Sequence, residues 1–380
     1  MVAVALNLRP VMASVGPLLD QIESATGLDH TGASLMTTLP VCVMGLGALL
    51  AGQLQQRGRE RLYVALSIVS IAIACGARVA LNTSYGLLTT SLIAGIGIAT
   101  IQTILPGFIK QIWGPGAGRV MGLYTTGIMG GAAFAAAFSG PLADSLGWSP
   151  ALAVWALPAA VALPLWLGRV PSSTQQDPAR ICSSRVGAPV WRRLRAWELM
   201  LFFGVGTGAY TLVLAWLPPF YTGLGWSRAH AGYLLGGVTV AEVVAGLCVS
   251  AWTNRLPDRR RPLLLALAAL AGGLVCLIVA PLSLAWLASA LLGLGIGALF
   301  PLSLIVTLDH VDDPARAGEL AAFVQGGGYL IASLAPLGAG ALRDRFADLT
   351  DAWVLMAFGA VLLALMCAHF SPRSYVEFSQ

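Results

Sequence analysis

The sequence predicts an all-α membrane protein that crosses the bilayer twelve times, with the crossings in two groups of six. Hydrophobic residues make up 57% of the 380 and charged residues only 10%, against ~25% charge in a typical globular protein. The mean hydropathy is +0.79. With 22 basic and 17 acidic side chains, the chain cannot cover a soluble surface, which excludes a soluble enzyme, a nucleic-acid binder and a disordered scaffold. A crossing takes ~20 apolar residues, and the sequence supplies twelve runs of about that length.

The first group lies near 1–19, 34–54, 62–80, 86–109, 118–140 and 150–168. The second lies near 198–220, 230–252, 262–280, 283–308, 318–341 and 352–371. These runs divide the chain into a six-helix bundle over 1–168, a linker over 169–197, a second bundle over 198–371 and a tail over 372–380. Arginine and lysine collect in cytoplasmic loops. With the N-terminus inside, the inner loops hold Arg57, Arg59, Arg61, Lys110, Arg119, Arg169, Arg180, Arg185, Arg192, Arg193, Arg195, Arg255, Arg259, Arg260, Arg261, Arg316 and Arg373, 17 of the 22 basic residues. The outer loops hold only Arg228, Arg343 and Arg345. Both termini are therefore expected in the cytoplasm. The linker, with Pro171, Ser172, Ser173, Thr174 and Gln175 before a basic run, reads as a flexible cytoplasmic connection. The start of the chain is too short in apolar residues for a cleavable signal. Five of the six cysteines (Cys42, Cys75, Cys248, Cys276 and Cys367) lie in apolar runs and read as small core residues.

The two groups of six repeat one another faintly. Gly95 and Gly97 of the fourth span recur as Gly293 and Gly295 of the tenth; Gly118, Gly127 and Asp144 of the fifth recur as Gly318, Gly327 and Asp344 of the eleventh. The offset is 198 to 200 each time, as in a duplicated six-helix unit. Two inner loops match as well, Gly52-Gln-Leu54-Gln-Gln-Arg57-Gly58-Arg59 and Ser250-Ala-Trp-Thr-Asn254-Arg255-Leu-Pro-Asp258-Arg259. Both resemble the major facilitator loop signature Gly-x-Leu-Ala-Asp-Arg-x-Gly-Arg. The first lacks its Asp and is one residue short, and the second carries Asn254 in that place. Arg57, Arg59, Asn254 and Arg255 are the candidate gating-loop residues, with weak latching expected.

Polar groups inside spans are costly in lipid and therefore informative. In the first span Val4, Leu8, Val11, Val15 and Leu18 form an apolar stripe suited to lipid or a packed neighbour, and Arg9, Ala13, Gly16 and Asp20 form a small and polar one opposite. Pro10 and Pro17 free the carbonyls of Leu6 and Ala13. Arg9 either faces a cavity or snorkels to the interface. Glu242, near the middle of span eight, reads as a proton-coupling carboxyl, a counter-ion to a buried arginine, or a neutral acid without a transport role. Arg78, near the outer end of span three, is expected to snorkel, and His30, His230 and His369 to be interfacial. Gly95, Ala99, Gln102 and Pro106 share a face of span four, Thr207, Tyr210 and Thr211 lie on span seven ahead of Trp216-Leu-Pro218-Pro219, and Phe300, Ser303, Thr307 and His310 lie on span ten. These suit a small cavity with a few donors and aromatic walls. No Gly-x-x-x-x-Gly-Lys-Ser/Thr loop exists, which excludes an ATP-driven pump, and no catalytic or metal-ligand motif occurs.

Asn7-Leu-Arg9-Pro10 with Ser14-Val-Gly16-Pro17-Leu-Leu resembles the first helix of bacterial cyanate transporters, a branch of the major facilitator superfamily that also contains nitroimidazole exporters. The likeness continues in GIGIATIQTILPGFIK (95–110), VMGLYTTGIMGG (120–131), AWLPPFY (215–221), GLGIGALFPLSLIVTLDH (293–310) and AFVQGGGYLIASLAPL (322–337). It implies a twelve-helix facilitator of the inner membrane that moves a small anion, cyanate first, by alternating access of its two halves, with no cofactor or metal; if transport is proton-coupled, Glu242, the acid well inside a span, is the candidate coupling residue. Bilayer lipid and the small anionic substrate are the expected partners, nucleic acid is not, and the protein is expected to be a monomer. Spans 1, 4, 7 and 10 are expected to line the cavity. The candidate substrate-binding residues are Arg9, Asn7, Gln102, Tyr124, Thr211, Trp216, Phe300, Ser303, Gln325 and Tyr329, with Lys110 and His310 also of interest. Efflux of a neutral nitroaromatic is the alternative; Trp216, Phe300 and Tyr329 would then dominate. A non-transporting membrane sensor is a third reading, and no signalling domain accompanies the spans.

Overall fold

The computed structural model describes the chain apart from residues 51–58, 114–116, 170–189, 253–257, 312–313, 347 and 371–380. Twelve helices are long and apolar enough to cross a membrane. Spans 1 to 6 are Val2–Thr26, His30–Leu49, Glu60–Ala77, Ser84–Ile109, Val120–Leu146 and Trp148–Gly168. Spans 7 to 12 are Leu194–Gly223, Arg228–Ala251, Arg260–Val279, Ala285–Asp309, Arg316–Phe346 and Thr350–Cys367. Span 7 starts four residues before the expected 198, and span 1 continues well past 19. Hydropathy misses the end of span 1 because Asp20, Gln21, Glu23 and Ser24 are polar. There the helix leaves the apolar layer and its side chains bond to neighbouring segments.

Spans 1 and 7 form the centre. Their apolar windows are 83% and 78% buried, against 28% for span 6 and 33% for span 12. The span 1 stripe of Val4, Leu8, Val11, Val15 and Leu18 is buried against neighbours, so of the two environments open to it, it takes the packed one. Its small and polar face turns to the other half of the molecule, and Gly16 lies against the Leu214 carbonyl and Pro218 of span 7. Spans 2 and 11 pack along one side of this centre, spans 5 and 8 along the other.

The two ends of the bundle are held differently. At the end opposite the termini (the far end), polar bonds cross between halves. Thr222 Oγ1 donates to Asp20 at 2.5 Å, Arg343 lies 3.8 Å from Asp20, and Arg228 pairs with Asp144 at 3.1 Å. The backbone N–H groups of His30 and Thr31, both at 2.9 Å, and the Thr31 hydroxyl donate to the Asp344 carboxylate. At the terminal end, the bonds among the described residues run within each half. Arg61 donates to the Leu167 carbonyl and Trp166 Nε1 to the Arg61 carbonyl. Arg195 bonds to Glu198 and His310, and Arg259 pairs with Asp309. The far end is therefore closed. Arg57, Asn254 and Arg255 lie outside the described residues; Arg59 is exposed and precedes span 3.

Span 1 is not a continuous helix. It runs Val2–Ala5, turns through Leu6 to Arg9, resumes at Pro10–Ala13, tightens to a 3-10 turn at Gly16–Leu18 and ends as Leu19–Thr26. Pro10 and Pro17 lack the N–H that would close the preceding turns, so the breaks fall at the prolines. Gly131 of span 5 seats against the first break. A Cβ there would stand 2.2 Å from the Leu6 carbonyl oxygen, so no other residue lets span 5 approach this closely.

The expectation for Arg78 is corrected. Instead of snorkelling it is fully buried, with 0% exposure. Its guanidinium donates to the Val11 carbonyl, the Thr90 hydroxyl and the Ser91 hydroxyl at 3.3, 3.4 and 3.0 Å. The neighbouring Val79 and Leu81 are exposed, but Arg78 sits on the face of span 3 turned into the bundle, where its side chain is enclosed and bonds to its neighbours instead.

Candidate functional site

The break in span 1 leaves Arg9 at the head of the Pro10–Ala13 turn, where a helical side chain would otherwise run along its own helix. Arg9 is only 4% exposed and projects across to the second half. Its guanidinium carbon stands 5.0 Å from the centre of the Tyr210 ring on span 7, a cation–π distance. Tyr124 of span 5, Glu242 of span 8 and Tyr329 of span 11 also lie within electrostatic reach of its charge. One cation, one carboxyl and three phenols thus come from five spans and both halves. All five side chains are buried.

The cluster is polar and unsatisfied. Arg9 Nε, Glu242 Oε2 and the hydroxyls of Tyr124 and Tyr210 are buried without a hydrogen-bond partner. Asn7 Oδ1, Gln102 Oε1 and Thr207 Oγ1 are in the same condition. Each unmade bond to a buried polar atom costs about 1–3 kcal/mol, more for a charged group. Around Arg9, unmade bonds on the guanidinium, the Glu242 carboxyl and two phenols mark a place where something polar can bind. Asn7 is held by its amide nitrogen, which donates to the Ala3 carbonyl at 2.6 Å, leaving its oxygen as the free end.

An aromatic wall adjoins the cluster. Tyr329 stands edge-on to Phe203 at 5.4 Å, and Phe203 lies 5.5 Å from Phe300. Phe202, Phe203, Thr207, Phe300 and Ser303 line a narrow crevice between spans 7 and 10. Ser303 donates to the Phe300 carbonyl at 2.8 Å, and Gln325 is half-buried on span 11.

Several expected site residues are placed elsewhere. Thr211 donates to the Ala332 carbonyl at 2.9 Å and ties span 7 to span 11. Trp216 is fully buried toward the far end, donating to the Pro336 carbonyl at 2.9 Å beneath the Arg343 guanidinium. His310 braces the terminal end: Nδ1 donates to the Val306 carbonyl at 2.6 Å, and Nε2 accepts from Arg195 Nε at 3.2 Å. Burial pushes its imidazole down to about 4, so it is neutral at ordinary pH. Lys110 lies on the helix of span 4, and its side chain is outside the described residues. Tyr210 and Thr207 are the residues the candidate set lacked. They stand with Thr211 on span 7, but no periodicity tells which of three neighbouring polar residues faces Arg9. Among the described residues no His, Cys, Asp and Glu cluster could hold a metal ion.

The comparisons with known proteins agree with this architecture. The cyanate transport protein CynX of Escherichia coli (strain K12) is 39% identical over 99% of this chain and 97% of its own length. The 2-nitroimidazole transporter of the same organism is 31% identical over 97% of this chain and 92% of its own. Among solved structures, a D-xylose–proton symporter superposes with a TM-score of 0.79 at 15% identity, covering 98% of this chain and 97% of that one. The xylose transporter XylE from E. coli, in its inward-open conformation, gives 0.77 at 14% identity over 100% and 98%. The model of the Major Facilitator Superfamily matches residues 8–336, across both halves and the broken first span. The chain therefore belongs to the Major Facilitator Superfamily and is a multi-pass membrane transporter.

Proposed function

We propose that this transporter carries a small monoanion, cyanate, across the bacterial inner membrane by alternating access of its two halves, with both termini in the cytoplasm. The observation that carries the reading is the buried Arg9 guanidinium, facing Tyr210 with its Nε unpaired, beside the orphaned hydroxyls of Tyr124 and Tyr210. A guanidinium keeps its charge in apolar surroundings and offers five donors. Phenol hydroxyls add neutral donors without further charge. Cyanate is linear and monoanionic, so one cation and two or three donors suffice to replace its water. The relative at 39% identity, named for cyanate transport, supports the same substrate.

Glu242 gives this site a charge balance. With its carboxyl ionised, Arg9 has an internal counter-ion and the pair is neutral. With the carboxyl protonated, the cluster is cationic and an anion restores neutrality. Anion and proton then move together as a neutral load. With arginine concentrated on the inner side, the closed far end is the outer one and the conformation is inward-facing. Rocking of the halves about the span 2–11 and 5–8 contacts would expose the cluster to the other side.

Uptake of labelled cyanate into proteoliposomes tests the reading. Losing one charge-assisted contact weakens binding by about 1.5–3 kcal/mol, roughly 10- to 150-fold. Arg9→Gln should abolish saturable uptake with expression and melting temperature retained, and Arg9→Lys should keep a fraction. Wild-type uptake should rise with an inward proton gradient. Glu242→Gln should exchange cyanate but no longer respond to that gradient. Unchanged uptake by Arg9→Gln would sink the proposal.

The aromatic wall favours a second reading, export of a neutral nitroaromatic. Phe203, Phe300 and Tyr329 offer ring faces beside the cluster, and a relative at 31% identity is named a 2-nitroimidazole transporter. Nitroimidazole flux that survives Arg9→Gln and fails in Phe300→Ala would select it.

A further inference from the structure

We infer that Arg78, a residue outside the anion cluster, positions Arg9 by holding the broken segment of span 1 in register. The inference rests on the anion-site reading above. In a continuous helix the Val11 carbonyl would accept the Val15 N–H. Here that N–H bonds to the Met12 carbonyl at 3.1 Å instead, so the break leaves Val11 short of a donor. Arg78 Nη1 supplies one at 3.3 Å. Val11 is only two residues beyond Arg9, within the same short Pro10–Ala13 turn.

Arg78 is itself anchored on every side. Nε and Nη2 donate to Thr90 and Ser91 of span 4, and its own carbonyl accepts the Ser149 hydroxyl of span 6 at 2.8 Å. Its partners are all neutral, yet the side chain is wholly buried. A cation without a carboxylate inside a membrane bundle is costly. Its planar fork, however, bonds three groups on two other spans at once, which no shorter neutral side chain does. Spans 3, 4 and 6 together make a fixed post, and Val11 is tied to it. Two short turns joined by prolines have little rigidity of their own. Without this tie, the Arg9 guanidinium would lose its fixed direction toward Tyr210.

The test uses the full chain in proteoliposomes and, in detergent, hydrogen exchange of backbone amides. Arg78→Gln should raise the KM for cyanate about tenfold, the loss expected for one hydrogen bond to a charged group, with Vmax changed much less. Amides of residues 11–18 should exchange faster, and those of spans 7 to 12 should not. Arg78→Lys should restore part of the KM, because an ammonium can reach Val11 but not both hydroxyls as well. Thr90→Val with Ser91→Ala keeps the cation and removes two anchors. It should shift KM in the same direction by a smaller factor, and it serves where Arg78→Gln folds poorly. A raised KM with wild-type exchange would mean that Arg78 acts through its charge alone, and positioning would be overturned. Faster exchange with unchanged KM would overturn the link from this segment to the site. Failure of the anion reading itself shows separately, as full uptake by Arg9→Gln.

Discussion

Two crossings close the far end, and they are built to one plan. Span 5 carries Gly140 and Asp144 and meets the start of span 8 at Arg228; span 11 carries Gly340 and Asp344 and meets the start of span 2 at His30. The corresponding positions lie 198 to 200 residues apart, so the faint internal repeat reappears as a pair of equivalent contacts. The chemistry differs. Asp144 makes an ion pair with Arg228 in which the side chains are 54% and 38% exposed. Such surface pairs contribute about 0–1 kcal/mol. Asp344 instead accepts two backbone N–H bonds and a hydroxyl at the N-terminus of span 2, where the helix dipole also favours negative charge. At the matched glycines the backbones approach more closely there too, although Gly232 of span 8 seats tighter still on span 5, its Cβ position 2.4 Å from the Ala136 carbonyl oxygen. A Cβ on Gly340 would stand 2.7 Å from the His30 carbonyl oxygen, whereas one on Gly140 would lie 3.1 Å from the Arg228 backbone. A shared layout therefore does not imply shared strength: at these equivalent positions the span 2–11 crossing is the firmer of the two.

Filling the glycine contacts should separate the two crossings most. Overpacking a tight contact costs about 1–3 kcal/mol. In a Ser14→Cys background, Gly340→Val should speed labelling by an impermeant maleimide added on the far side roughly 5- to 150-fold. Gly140→Val should do so by less; equal effects would mean that the two crossings are equivalent. Removing the carboxylates gives the next largest difference. Asp344→Ala should raise the same labelling about tenfold or more, and Asp144→Ala less than about fivefold. The smallest effect is that of salt. Between 0.1 and 1 M the screening length falls from about 10 to 3 Å, so the difference between wild type and Asp144→Ala should vanish while that of Asp344→Ala remains. A salt-sensitive Asp344 would show that its bonds act as an exposed ion pair rather than as a helix cap.

Much of this arrangement is legible in the amino-acid sequence. The twelve spans follow from runs of apolar residues, because a lipid environment imposes length and composition on every crossing. The break in span 1 is legible at Pro10 and Pro17, and Arg9 stands out as a cation on a face of small residues. Glu242 stands out as an acid well inside a span. The placement of Trp216 and Thr211 is not legible. Both are polar-edged residues on span 7, but one donates to Pro336 near the far end and the other to Ala332. Helical periodicity gives a face and not a depth or a partner. The burial of Arg78 is hidden for the same reason, since position along a span says nothing about whether the way to water is blocked.

Membrane insertion, the number of crossings, the breaks in the first helix and the identity of the charged residues inside it are all settled by the linear chain. Those properties depend on local chemistry: the transfer cost of side chains and the missing N–H of proline. That Tyr210, from the second half, faces Arg9, and that Tyr329 and Glu242 lie within reach of its charge, is settled only by the packing of the helices. So are the capping of span 2 by Asp344 and the hold of Arg78 on Val11. These contacts join residues far apart in the chain. Their energies depend on distance and burial, which exist only once the helices have packed.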